Sequence, residues 1–189
     1  MKEIKEKRII ICSIILILLC FSVSLFQKPE PNITVYSNDN SFSIEIPHNI
    51  SFKINKQDRE EYPLDLYSIS DQMILYSNIL PKNNYDLFEI VNNDKDEIAK
   101  SIDQIRDLSI TKKVELKDYE AYEYSYMYTN TDMNTNFHVC VVWIKAAHFI
   151  YILNLEVIET NKEKYIDIFN QIVQSFTETD QSISIPTGQ

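Results

Sequence analysis

Glycine is almost missing from this chain of 189 residues: the single one, Gly188, sits in the C-terminal tail. Glycine lacks a Cβ, so it serves wherever a backbone must turn with positive φ or approach a ligand closely. Its absence excludes Gly-rich phosphate loops, dinucleotide fingerprints and nucleophile elbows. Turns must be made by Asn, Asp, Ser and Pro instead. Cysteine is also scarce. Cys12 and Cys20 lie in an N-terminal apolar run and Cys140 stands alone in the remainder, so no internal disulfide framework can form there. The apolar surroundings of Cys140 favour a buried small hydrophobe over a reactive thiol. Positive charge is the third shortage. The chain has 18 Lys and Arg against 28 Asp and Glu, a formal net charge of -10. Four of those bases (Lys2, Lys5, Lys7, Arg8) stand in the first eight residues, so the rest is more acidic still. Such a surface repels phosphate backbones, and nucleic acid is not an expected partner.

What is present begins with Ile9 to Phe26, a run without a charged residue directly after the basic cluster at 1–8. A helix needs about 17–25 apolar residues to cross a bilayer. A secretory h-region is shorter, about 7–15 residues. The run therefore reads as a transmembrane anchor over 9–26, with a cytoplasmic N-terminus and an extracytoplasmic domain, by the positive-inside rule. Two other fates stay open. Ser22 and Ser24 form a small-x-small pattern that a signal peptidase could cut, and Cys20 is a candidate lipidation site, although Leu19 stands where a lipobox has a small residue. All three put the domain outside.

A linker (27–32) with two prolines leads into one domain over 33–176, followed by a polar tail (177–189) expected to fray. ITVYS, FSIEIP, a short piece near Phe52–Ile54 and Leu64–Leu80 read as strands; Phe42, Ile44 and Ile46 alternate with polar residues. From Asn84, Leu87, Ile90 and Val91 start a helical region. Asp94 and Glu97 have capping-box spacing, which predicts two short helices or one kinked at Asn92-Asn93. Four strands follow, at 109–116, 121–129, 136–145 and 149–157, joined by short turns and so antiparallel. A last helix carries Ile166, Phe169, Ile172, Val173 and Phe176 on one face, with Thr160 and Glu163 as a second capping box. NFHVCVVWIK and FIYILNLEV are apolar on both faces, so the sheet needs cover on both sides. The fold class is α+β: a mainly antiparallel sheet with helices packed on both faces, preceded by one N-terminal transmembrane helix.

FSIEIP near the start, the tyrosine-rich AYEYSYMY, the strand FIYILNLEV and the closing IFNQIVQSF together resemble the PsbP-like fold over residues 33–176. This is the α/β/α sandwich of the photosystem extrinsic protein, the Mog-type Ran-binding proteins and many small exported bacterial proteins. The resemblance implies a non-enzymatic binding or assembly module and carries no catalytic residues.

Several constellations suggest chemistry. Tyr122, Tyr124, Tyr126 and Tyr128 share one strand face, either as an aromatic platform for a glycan or peptide or as core packing with hydroxyls at the edge. Asn92, Asp94 and Asp96, and again Asn130, Asp132 and Asn134, imitate calcium-ligand spacing but lack the Gly and the bidentate Glu of an EF-hand loop. His138 and Cys140 share a strand face without a third ligand nearby. No metal, cofactor or catalytic set is therefore expected. The function read from the sequence is a membrane-anchored extracytoplasmic binding or assembly module whose partner is an envelope protein or a small ligand. The alternatives are an exported hydrolase with a loop-assembled site and a structural or stress-related envelope lipoprotein.

Overall fold

The computed structural model describes residues 31–54, 62–68, 72–82, 84–102 and 104–179. The expected anchor (9–26), its basic flank and the lipidation candidate Cys20 lie outside those residues, as does the tail beyond Thr179. Among the described residues no helix is long and apolar enough to cross a membrane.

In chain order the elements are β1 (Ile33–Tyr36), β2 (Phe42–Ile46), β3 (Lys53–Ile54), β4 (Leu64–Ser68), β5 (Met73–Pro81) and α1 (Leu87–Ser101). Then come β6 (Lys112–Glu115), β7 (Glu120–Asn130), β8 (Thr135–Lys145), β9 (Phe149–Ile158), α2 (Lys162–Gln174) and β10 (Thr177–Glu178). The order of strands, helix, meander and helix is the expected one. Every strand pair is antiparallel. Seven strands form one sheet in the order β3-β4-β5-β9-β8-β7-β6, and β1-β2-β10 form a second, smaller one.

Period-2 alternation in β8 sends Val139, Val141 and Trp143 to one face and Val142 and Ile144 to the other. Each face has its own cover. On the first, Leu87 and Val91 of α1 pack on β7 and β8. On the second, Tyr165, Phe169, Ile172 and Val173 of α2 join Phe42, Ile44 and Ile46 of β2 over Leu153, Leu155 and their neighbours. Phe42, Tyr151 and Phe176 close that layer with ring centroids 5.1–5.5 Å apart.

Some local expectations change. The first helix is one unbroken element. Its N-cap is Asp86, whose Oδ1 accepts from the amides of Phe88 (2.8 Å) and Glu89 (3.3 Å). Asp94 lies inside the helix and caps nothing. Thr160 is not a cap either: it sits in a 3-10 turn, Glu159–Asn161, that leads into α2. On α2 the side chain buried one turn before Phe169 is Tyr165, while Ile166 is only half-buried. Turns are made without glycine, with Asn40 and Asn134 at φ 56° and 48°. Asn tolerates this left-handed region because its short polar side chain bonds locally.

Thr177 and Glu178, expected in the frayed tail, pair with Ser43 and Phe42 instead. The Glu178 carboxylate pins them. It accepts from the amides of Ala147 (2.8 Å) and His148 (3.1 Å) and from the Tyr151 hydroxyl (3.0 Å), with His148 Nδ1 at 3.4 Å. Burial alone would raise the pKa of this side chain, but the amide and hydroxyl bonds outweigh it and hold Glu178 below its ordinary value of 4.5. A carboxyl lowered in the folded state adds stability above its unfolded pKa and loses it as pH falls through the folded one. Glu178→Gln turns one acceptor into a donor facing an amide. It is expected to lower stability by about 1–3 kcal/mol at pH 7 and to flatten the decline below pH 4.5, read by urea unfolding across pH 2–7.

Candidate functional site

Among the described residues α1 packs chiefly on β7 and β8. On the α1 face of the sheet, three cross-strand rows run from under the helix toward a half where Asn154 is buried, Tyr76 and Glu156 are half-buried and Ile74 is exposed. The first is Tyr122, Trp143, Ile152, Asn78; the second Tyr124, Val141, Asn154, Tyr76; the third Tyr126, Val139, Glu156, Ile74. Apolar residues fill the helix-covered end. Beyond it the face turns polar, because Asn154 and Glu156 stand where β9 earlier has Ile150 and Ile152. Valine at 139 and 141 keeps the β8 positions low, so tyrosine rings from β7 lie across them.

Each member of the tyrosine stripe has a definite place. Tyr122 packs on Phe88 of α1 at 5.4 Å between centroids. Tyr124 and Tyr126 are buried, 3% and 6% exposed, and their rings stack at 6.3 Å. Tyr128 is half-buried, 6.5 Å from Tyr126 and stacked on Phe137 at 5.6 Å. Two of the hydroxyls end on carboxylates. Tyr124 donates to Asp94 Oδ2 at 2.5 Å, and Tyr128 donates to Glu156 Oε1 at 2.6 Å, reaching across β8. Tyr76 faces the same cluster from β5 and meets the Tyr62 ring edge-on at 5.3 Å.

The electrostatics are those of acids short of compensation. Burial raises the pKa of Asp94; the Tyr124 hydrogen bond opposes this, Glu97 adds to the rise, and Trp143 lowers it slightly. Burial likewise raises Glu156 against the Tyr128 bond. The phenols rise in turn: Tyr76 is pushed up to about 12 by burial first and then by Glu156. Tyr124, Tyr126 and Tyr128 rise further, again mainly through burial. All four are neutral donors at physiological pH. Asn154 Nδ2, buried on this face, has no hydrogen-bond partner among the described residues, and Trp143 Nε1 stands short of a full hydrogen bond to Asp94 yet still helps to lower its pKa.

The other candidates fall elsewhere. His138 Nε2 lies 3.3 Å from Cys140 Sγ on the α2 face. Burial, then Glu123, push the thiol up to about 12, while burial and Lys162 lower His138. A neutral thiol beside a neutral imidazole lacks the ion pair that activates a cysteine nucleophile. Of the calcium-like loops, Asn92 Oδ1 accepts from Thr111 and Lys95, and Asn130 Oδ1 accepts from the Met133 amide of a hairpin turn. Among the described residues no three His, Cys, Asp or Glu side chains come together as a metal site. Tyr76, Asn154 and Glu156 were missed as site members in the sequence, and Asp94 was weighed only as a calcium-like ligand or a helix cap. The signal was there for Asp94, which continues the inward stripe of Leu87, Val91 and Ile98 at helical spacing.

No family model matches the chain, and no curated protein matches it by sequence. Solved structures do. LpqN of Mycobacterium tuberculosis, described as involved in cell envelope biogenesis, superposes with a TM-score of 0.58 at 13% identity, over 79% of this chain and 91% of its own. Cyanobacterial PsbP (CyanoP) from Synechocystis sp. PCC 6803 gives 0.55 at 10% identity, over 82% and 96%. The Saccharomyces cerevisiae Ran-binding protein Mog1p gives 0.53 at 12%, over 80% and 97%. The described domain thus has the PsbP-like fold, as the strand and helix motifs imply.

The site's carboxylates should be visible in stability. A carboxyl raised in the folded state costs nothing below its unfolded pKa and destabilises progressively as pH rises through the folded value. Glu156→Gln keeps an acceptor for Tyr128 and removes the buried charge. The variant is expected to melt above the wild type at pH 8 and together with it near pH 4. Tyr128→Phe leaves the carboxylate without its donor and is expected to lose about 1–3 kcal/mol at pH 7. Differential scanning calorimetry at the two pH values checks both.

Proposed function

We propose that this chain is a membrane-anchored extracytoplasmic binding or assembly module that acts through the half of the α1 face holding Tyr76, Tyr128 and Glu156. The carrying observation is the change of that face from apolar to phenol and carboxylate where helix cover ends. A sheet surface serving stability alone would place paired or apolar groups there. The fold supports the reading. Mog1p is by its description a Ran-binding protein and LpqN a protein of cell envelope biogenesis. Neither description names a reaction. Anchoring rests on the charge-free run 9–26 after four basic residues. An envelope protein or a small ligand is the occupant this topology offers.

A photo-crosslinking residue at Tyr76 tests the binding surface, with one at Gln171, exposed on α2, as the control. In intact membranes one discrete adduct is expected from position 76 and none from 171. Equal labelling from both positions, or from neither, would count against this face as the binding surface. Location has its own check. Protease added to intact spheroplasts is expected to digest the domain, and full protection until lysis would place it inside.

A further inference from the structure

The small sheet ends on β1, and this end differs from the other sheet edges. The large sheet ends on β6, which carries Lys112 and Lys113, and on β3, two residues long and begun by Lys53. β10, at the far end of the small sheet, is also two residues long. Lysine and short length guard an edge against pairing with another chain. β1 has neither guard: Ile-Thr-Val-Tyr is four residues of high strand propensity without a charge or a proline. Its register sets Ile33 opposite Ile46 and Val35 opposite Ile44, so these side chains share the core side of the sheet. Exposure jumps within one row, from 2% at Ile46 to 53% at Ile33. The backbone parity is fixed by three bonds. Ser37 N–H donates to the Phe42 carbonyl at 3.0 Å, while on the other flank of β2 the Thr179 amide donates to Ser41 O and the Glu45 amide to Ser175 Oγ. Antiparallel ladders alternate bonded and non-bonded pairs. Ile33 and Val35 therefore turn their N–H and C=O toward β2, and Thr34 and Tyr36 turn theirs outward.

We infer that β1 is an interface to a second copy of this chain, paired antiparallel about a twofold axis at Thr34. A twofold axis through a sheet sets one residue against itself. At Thr34 that residue points its N–H and C=O outward, so the two Thr34 exchange both backbone bonds, and Tyr36 bonds to Asn32 of the second copy. Ile33 then faces Val35 of the second copy. The inner row reads Ile46, Ile33, Val35, Ile44 through both copies without a polar break, and it gives the exposed Ile33 an apolar neighbour. Moving the axis to Val35 would set Ile33 against Ser37, so the apolar pattern selects the register. Charge points to the same occupant. The chain has a net charge of -10, yet residues 33–38 carry none, so two acidic molecules can meet there with no like charges opposed. This surface lies on the small sheet and does not depend on the α1-face reading.

One strand per copy buries less than a standard interface, so the pairing is best read by trapping it. The full-length protein in detergent micelles, with Cys12→Ala and Cys20→Ala, would be oxidised and its mass read under non-reducing conditions. Thr34→Cys is expected to give a covalent dimer. Bonded antiparallel pairs stand about 5.5 Å apart at Cα, inside the range a disulfide spans. Tyr36→Cys alone is expected to give none above background, because its two copies stand about 14 Å apart along the strands. Adding Asn32→Cys to it is expected to restore the dimer, since that pair faces across the axis. Thr34→Pro in this double variant removes the outward amide of each copy and leaves the ladder to β2 intact. It is expected to cut dimer yield about tenfold, the scale of lost hydrogen bonds. Melting temperatures confirm that each variant folds. No dimer from Thr34→Cys or from the double variant, equal dimer from Tyr36→Cys alone, or indifference to Thr34→Pro would each overturn the inference.

Discussion

Two-sided burial of β8 and β9 is the constraint on which the rest of the molecule depends. Tyr151, Leu153, Leu155 and Val157 point to one side of β9, and Ile150 and Ile152 to the other. Neither side can be left to water, so each must find a layer. On the α2 face the demand is met along the whole strand, by α2 and by β2 of the small sheet. On the α1 face, among the described residues, one helix of 15 residues supplies the cover, chiefly over β7 and β8. The chain answers with polar side chains where the cover ends. Thinner cover accounts for polar side chains at this point, but not for a half-buried carboxylate at Glu156 with one phenol as its donor.

The absence of glycine sets the character of the connections. Left-handed backbone at Asn40, Asn134 and Asp107 is carried by residues whose short polar side chains tolerate it. At Gln72 and Gln104, φ 49° and 61°, no such local help exists. Gln104 follows the end of α1, where Ile102 has already turned extended. The chain then runs along the edge of β7, with Arg106 bridged to Met127 and Ser109 bonded to Ser125. This return explains why β6 begins at Lys112 and not at Ser109 as periodicity suggested.

Most of the fold was legible because it is written in local patterns. The alternation of Phe42, Ile44 and Ile46, the short turns between β7, β8 and β9, and the two helical stripes each specify an element without reference to the rest. What was illegible depends on contacts far apart in sequence. Nothing local brings β5 beside β9, so Tyr76 could not be seen opposite Asn154. Nothing local marks Glu178 as the acceptor for Ala147 and His148, so β10 looked like tail. Asp94 was misread for a different reason. Its spacing to Glu97 matches a capping box, but the earlier Asp86 takes the cap and leaves Asp94 facing the sheet. The tyrosine stripe was legible as one face; which of its hydroxyls end on carboxylates was not.

The two faces of the sheet treat their acids in opposite ways, and the contrast separates structure from site. Glu178, beside the α2 layer, has two amides, a hydroxyl and an imidazole gathered about it, and its pKa falls. A carboxylate so satisfied rigidifies the fold and needs nothing further. Asp94 and Glu156 each have one phenol, and their pKa values rise. Replacing Glu156 with an uncharged residue of similar shape is expected to raise stability at neutral pH, as its raised pKa implies. A positive charge or a second donor brought to Glu156 would reverse the sign there, because either favours the ionised acid. Ligand and fold are then linked through this carboxylate: whatever lowers its pKa by binding also stabilises the domain at neutral pH.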